Sequence, residues 1–220
     1  MRARTKYPRT PHLPWSPGCA DDDRIISAES LRVLDALPTV ITEKMDGGNI
    51  TLMRDAMYAR SVDSGTPVWE TRSKAEWARV AGDIPDGFRV SCESVWARRS
   101  VAYENLEGPL LVFGVWDRTH LLSWDDTELW AALLGLPTVP FIATTTGTRD
   151  ALDLWRGAGL DESVSEGFVV RSSGPVETSR FADCVAKWVR AGHVQTRDDW
   201  RHRDDFPLNG FRTPACSLSS

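Results

Sequence analysis

Residues 44–49 read Lys-Met-Asp-Gly-Gly-Asn and stand between two strand-like runs, Thr39–Glu43 and Ile50–Met53. An Asp-Gly pair between apolar runs is a strong short-range signal for a hairpin, because both residues tolerate the positive φ of a tight turn. This stretch therefore ties the chain to antiparallel β structure. The lysine needs a separate reading. Beside a turn and at a strand's end it has no reason to lie in a core, and its amine can reach into a pocket.

The rest of the chain extends the pattern. Ile26, Leu31, Leu34 and Leu37 recur at helical spacing across Ser27–Leu37. Thr39–Glu43, Asn49–Met53 and Ala56–Arg60 read as a meander of strands. Ser73-x-x-Glu76 reads as a capping box opening a helix through Val80. Phe88–Trp96 and Leu110–Trp116 are expected strands. Ser123-x-x-Asp126 caps a helix to Leu134, stopped by Gly135 and Pro137. Val139–Ala143, Gly167–Arg171 and Phe181–Val189 are expected strands, and Thr148–Arg156 a helix ended by Gly157. Strands dominate with helices interspersed, which predicts an α+β fold of mainly antiparallel sheets with flanking helices. The expected organisation is a basic, extended arm (1–25), a main domain (26–196) and a C-terminal tail (197–220).

A chain of 220 residues can bury one substantial core. No apolar run reaches the length of a membrane span, so no membrane contact is expected. The basic N-terminus lacks the apolar stretch of a secretory signal. Cys19, Cys92, Cys184 and Cys216 form no C-x-x-C pair, which argues against a zinc site or a disulfide framework and makes a reducing cytoplasm the simplest compartment. The net charge of -5 does not suggest a nucleic-acid binder. Its distribution is more informative. Arg2, Arg4, Lys6 and Arg9 form an acid-free arm and Arg98-Arg99 a second focus, while Asp21–Asp23 and the 198–205 region carry acid. Local basic patches bind phosphate even on an acidic protein.

Five further segments follow the lysine in order: Tyr58-Ala59-Arg60-Ser61; Ser91-Cys92-Glu93 ahead of Ala97-Arg98-Arg99-Ser100-Val101-Ala102-Tyr103; Phe113-Gly114-Val115-Trp116-Asp117; Ser165-Glu166-Gly167-Phe168-Val169-Val170-Arg171; and Val185-Ala186-Lys187-Trp188-Val189-Arg190. Taken with Lys44-Met-Asp-Gly, this order resembles motifs I, Ia, III, IIIa, IV and V of the covalent nucleotidyltransferases. The wording Glu-Gly-Phe-Val-Val-Arg resembles the RNA ligase family within them. The resemblance spans about residues 40–196 and implies the nucleotidyltransferase (ATP-grasp-like ligase) fold.

The resemblance implies the roles. Lys44 attacks the α-phosphate of ATP and carries AMP; to attack it must be uncharged, so its pKa, ordinarily about 10.4, has to be depressed by burial or a nearby cation. Glu43, Asn49, Arg60, Glu93, Phe113 and Lys187 contact the nucleotide, with Phe113 stacking on the purine. Glu166 binds the metal, Mg2+ or Mn2+, and Asp46 orients the lysine or helps hold that metal. One carboxylate suffices, because magnesium keeps most of its waters. Lys187 neutralises the α-phosphate and counts with Lys44 and Glu166 as catalytic. Arg98, Arg99 and Arg190 serve RNA phosphate, for which arginine's fork is suited.

The chain departs from the pattern at motif V, which usually carries two lysines one residue apart. Val185 and Val189 hold the candidate second positions, leaving Arg190 to take the role or one cation missing. A further departure is size, since the residues after motif V are too few for an appended OB domain. The arm, the tail around His193–Asp205 or a protein partner is expected to supply the missing grip on RNA. The implied activity is ATP-dependent joining of RNA 5′-phosphate and 3′-hydroxyl ends. A GTP-dependent capping-type guanylyltransferase and a catalytically inactive module binding nucleic-acid ends are the alternatives.

Overall fold

Side chains alternate across a strand with a period of two, and this alternation sorts the strands into two sheets sharing one buried space. The computed structural model describes residues 4–60, 71–192 and 206–212. In chain order its elements are α1 (Ala28–Asp35), β1 (Pro38–Glu43), β2 (Gly48–Leu52), β3 (Met57–Ala59), α2 (Thr71–Val80), β4 (Arg89–Ser94), β5 (Leu110–Trp116), β6 (His120–Leu121), α3 (Trp124–Leu134), β7 (Phe141–Thr146), α4 (Ala151–Gly157), β8 (Gly167–Ser172), β9 (Val176–Glu177), α5 (Phe181–Cys184) and β10 (Val185–Val189). One sheet has the order β10-β8-β1-β7 and the other β3-β2-β4-β5-β6-β9, and their pairings are antiparallel.

Each sheet turns one face to helices. Ile41, Phe168, Val170, Ala186 and Trp188 pack with Leu34 of α1 and with Ala151 and Trp155 of α4. Ile50, Leu52, Val90, Cys92, Leu110 and Val112 pack with Val80 of α2 and with Ala131 and Leu134 of α3. The alternate residues, Val169, Val185 and Lys187 on one sheet and Asn49, Glu93 and Phe113 on the other, face a shared cavity. The cap at Ser123 is as the sequence expects, and Ser27 supplies another. Ser27 accepts from Ser30 N and Ser123 from Asp126 N, satisfying end amides of α1 and α3. Gly135, at φ 63°, ends α3.

Several local expectations change. The Asp46-Gly47 turn joins no hairpin. β1 pairs with β7 and β8, and β2 with β3 and β4, so the turn carries the chain from one sheet to the other. The expected meander is thus split after its first strand. Ser73 does not open α2. It lies inside that helix, fully buried, 2.9 Å from the Ser94 hydroxyl, while Glu76 pairs with Arg79 at 3.1 Å. The expected strand over Phe181–Val189 begins as helix α5, and β7 starts at Phe141 rather than Val139.

Residues 4–13 run extended along the body, whereas turns over 14–23 bring Ile25 back beside His12, so the expected extended arm holds only in its first half. Leu13 N donates to Lys187 O at 2.7 Å and Lys187 N to Pro11 O at 2.9 Å, so the segment runs beside β10. Leu13 is buried in the core with Trp155 and Trp188. Residues 206–212 also return to the domain. Asn209 donates to Val95 O at 2.8 Å, and Phe211 stacks on Trp96 at 5.2 Å between centroids. Arg2, Ser61, the 193–205 segment with His193–Thr196, and Cys216 lie outside the described residues.

Candidate active site

Lys44 leaves the end of β1 with its N–H on Gly167 O at 2.9 Å. Glu166 stands one residue before that glycine, so the backbone contact places the two side chains together. Lys44 Nζ donates to Glu166 Oε2 at 2.6 Å. The lysine side chain is 24% exposed and the glutamate 3%. Gly167 cannot be another residue. Its φ is 148°, and a Cβ there would lie 2.1 Å from Trp188 O.

The opposite wall comes from the second sheet. Asn49 and Glu93 are directly paired across β2 and β4. Glu93 Oε1 accepts from Gly47 N at 3.1 Å. Gly47 is held so closely that a Cβ would sit 2.3 Å from Ser94 O, which explains a glycine after Asp46 without any hairpin. Phe113 flanks the cavity, with Tyr7 edge-on at 5.1 Å between centroids. The cavity encloses about 660 Å³, within the usual range for ligand sites. Two polar atoms on its wall, Asn49 Oδ1 and Arg171 Nη1, are buried with no hydrogen-bond partner among the described residues. They leave an acceptor and a donor for a ligand.

Charge in the cavity is dense and of both signs. Burial favours the neutral amine of Lys44, but the carboxylates of Glu166, Glu93 and Asp46 outweigh it, and its pKa stands above the ordinary lysine value. Burial alone therefore does not ready the nucleophile, as had been one of two expected routes. A cation on the carboxylates is the route left. Lys187 is pushed below the usual lysine value by burial and by the charge of Lys44. Burial raises Glu43 and Glu93 to about 7; the Ser165 hydroxyl opposes it at Glu43, and Lys44 and Arg99 oppose it at Glu93.

The expected residues divide by place. Glu43, Lys44, Asp46, Asn49, Arg60, Glu93, Arg99, Phe113, Glu166 and Lys187 all line the cavity. Asp46 is largely engaged. Its Oδ2 accepts from Ser100 N, Ser100 Oγ and Val101 N at 2.8, 2.6 and 3.0 Å, so it anchors the loop that carries Arg99. Glu166 is likewise engaged, by Lys44 Nζ at 2.6 Å, so both carboxylates expected at a metal already have partners. Arg98 is exposed, and its N–H meets Pro207 O at 2.8 Å. Arg190 turns away from the cavity and donates to Glu162 O. Val185 and Val189, not Arg190, share the cavity face with Lys187, so β10 supplies one cation.

Sequence reasoning missed one wall. Tyr7, His12 and Asp23 reach the cavity from the N-terminal segment. Burial raises the Tyr7 phenol to about 12 and lowers His12 to about 4. No pattern in residues 1–25 signals this, because the contacts are made with β10 and β5. Arg171 had a signal, as it ends the Glu-Gly-Phe-Val-Val-Arg run and is in phase with Val169. Burial lowers it to about 10.

Comparison with known proteins bears on the family and the fold. The family model described as RNA ligase matches residues 37–189. No curated protein sequence matches the chain. Among solved structures, an Aquifex aeolicus protein with the provisional description of an ATP-dependent DNA ligase is similar at 18% identity and TM-score 0.58, covering 84% of this chain and 50% of its own. An archaeal ATP-dependent RNA ligase is similar at 14% identity and TM-score 0.53, covering 84% of this chain and 48% of its own. A Naegleria gruberi RNA ligase variant with ATP and Mn is similar at 12% identity and TM-score 0.52, covering 81% and 57%. At these identities the likeness is one of fold, and this chain spans about half the length of those proteins.

Proposed function

We propose that this chain, which belongs to the RNA ligase family, is an ATP-dependent RNA ligase that joins 5′-phosphate and 3′-hydroxyl ends. The observation that carries the reading is the convergence of Lys44, Glu166, Lys187, Glu93 and Phe113 on one cavity, with Lys44 Nζ 2.6 Å from Glu166. Lys44, once it has lost a proton, attacks the α-phosphorus of ATP. A P–N bond forms, the bond to the bridging oxygen breaks, and pyrophosphate leaves. A 5′-phosphate oxygen of RNA then takes the adenylate from Lys44, and a 3′-hydroxyl displaces AMP to form the phosphodiester.

The side chains fit those tasks. Lys187 is placed to balance charge on the α-phosphate, Glu93 and Asn49 to accept or give hydrogen bonds to the ribose, and Phe113 to cover a purine face. Glu166, a single buried carboxylate, suits magnesium or manganese retaining most of its waters, so the donor set fits. Such an ion would supply positive charge beside Glu166 and favour the neutral form of Lys44. Arg98 and Arg99 serve RNA phosphates, and Arg60 the nucleotide. A protein partner, or chain beyond the region shared with the solved structures, supplies further grip on RNA. Among the described residues no helix is long and apolar enough to cross a membrane. The free thiols of Cys19, Cys92 and Cys184 fit the cytoplasm.

The test is incubation with ATP or GTP and magnesium, followed by peptide mass spectrometry. AMP on Lys44, and none from GTP, is the expected result. GMP on Lys44 would support the capping alternative. No adduct on folded protein would leave an end-binding module. Nicked, hairpin and single-stranded RNA with 5′-phosphates then identify the substrate.

A further inference from the structure

The two lysines of the cavity are held from different sides. Lys44 is paired with Glu166 of its own sheet, whereas Lys187 Nζ lies 3.8 Å from Asp23 Oδ1 of the N-terminal segment. Asp23 is itself fixed. Its Oδ2 accepts from Ala20 N at 3.2 Å, and His12 Nε2 approaches it to 3.2 Å outside hydrogen-bond geometry. His12 is 1% exposed, with Nδ1 2.8 Å from Ser16 Oγ. Its backbone is bracketed by Arg24 O, which accepts from His12 N at 2.6 Å, and by Ile26 N, which donates to His12 O at 2.9 Å. Ser16 in turn accepts from Val189 N of β10 at 2.9 Å. A contiguous row, Ser16–His12–Asp23–Lys187, therefore spans from the segment to the cavity.

We propose that Asp23, held by Ala20 N and packed beside His12, is a positioning residue for Lys187. The inference rests on the nucleotidyl transfer proposed above and makes the N-terminal segment part of the catalytic apparatus. A carboxylate on the wall of a site for a triphosphate repels its ligand, so its presence there needs a compensating use. Lysine supplies that use. Its ammonium sits on a flexible four-carbon stem, and a fixed counterion confines it to one orientation at the wall. The other charged groups facing Lys187 are Lys44, Glu166 and Arg60. Of these, Arg60 also meets the N-terminal segment, through Tyr7 O at 3.4 Å, and both Arg60 and Lys44 repel Lys187, which leaves Asp23 as the segment's counterion for it.

The same place has a rival occupant. The ligand atoms of His12, Cys19 and Asp23 lie within 4.8 Å of one another, a donor set that a transition metal could use. The Lys187 ammonium already beside Asp23 favours the lysine as its partner.

The experiment is single-turnover formation of the Lys44 adduct over a range of ATP concentrations, with wild type, Asp23→Asn, Asp23→Glu and the exposed control Asp21→Asn. Asp23→Asn is expected to slow the maximal rate by about tenfold or more while the half-saturating ATP concentration stays level or falls, because the lost charge is negative. Asp23→Glu, which keeps the charge, is expected to recover part of the rate, and Asp21→Asn to match wild type. A folded Asp23→Asn with an unchanged rate would overturn the proposal. So would a joint loss of rate, ATP affinity and melting temperature that Asp23→Glu does not repair, since that is the mark of a purely structural contact. Should Asp23→Asn fail to fold, Asp23→Glu decides by the same split of rate from affinity. Zinc retained by purified wild type and lost in Cys19→Ser would assign the trio to a metal instead. A wild type that forms no adduct would fail the functional reading itself, which the other outcomes leave standing.

Discussion

Replacing Lys44 with methionine separates its chemical task from its structural one. Methionine fills much of the stem's volume but leaves Glu166, only 3% exposed, without the ammonium 2.6 Å away. At an effective dielectric of about 20, two unit charges about 4 Å apart attract by roughly 4 kcal/mol. Breaking a fully buried pair costs about 3–5 kcal/mol, and the 24% exposure of the lysine lets water recover part of that. The net expectation is a loss of about 2–3 kcal/mol for Lys44→Met, equivalent to several degrees in Tm for a domain of this size. Glu166→Gln added to Lys44→Met should restore most of it, since no charge is then left unpaired. Urea unfolding of the four members of the cycle at neutral pH measures this, and mass spectrometry confirms that adduct is lost. A Lys44→Met protein as stable as wild type at neutral pH, with no coupling to Glu166→Gln, would refute the argument.

Three further outcomes follow from the same geometry. Phe113→Leu, made in a Lys44→Met background so that binding stays reversible, should weaken ATP by about 1–3 kcal/mol in calorimetry if the ring stacks on the purine; unchanged affinity with reduced stability would mean the ring is only core. Glu43 and Glu93 titrate near 7 when folded, above their unfolded value of about 4.5, so the folded state holds extra protons between these limits and stability should fall as pH rises through that window; Glu43→Gln and Glu93→Gln should flatten the fall in Tm, and parallel profiles would contradict it. Gly47→Ala places a Cβ 2.3 Å from Ser94 O, so β2 or β4 must shift; a loss of about 1–3 kcal/mol by chemical denaturation is expected, with slower adduct formation, and an unaffected variant would show that the turn has slack.

Much of the site is legible because strands and motifs are local. Lys44 ends an apolar run, Glu166 precedes a glycine that opens another, and Ser27, Ser123 and Gly135 mark helix ends by chemistry that needs only near neighbours. The period of two also decides Arg190: residues 185, 187 and 189 share a face, so residue 190 points elsewhere.

What the sequence alone determines, then, is the strand pattern, most of the caps and the chemical identity of Lys44, Glu93, Phe113, Glu166 and Lys187 as a set. Tertiary structure decides which strands pair. The Asp46-Gly47 turn has the chemistry of a hairpin, yet β1 and β2 part into different sheets because each pairs with strands farther along the chain, β8 and β7 for one and β4 for the other. It also decides that residues 7–23 wall the cavity, and that Lys44 is held protonated by carboxylates its own segment does not contain, apart from Asp46. Those outcomes depend on distances between residues from about forty to more than a hundred positions apart, and electrostatic energy and packing respond to separation in space, which spacing along the chain does not encode.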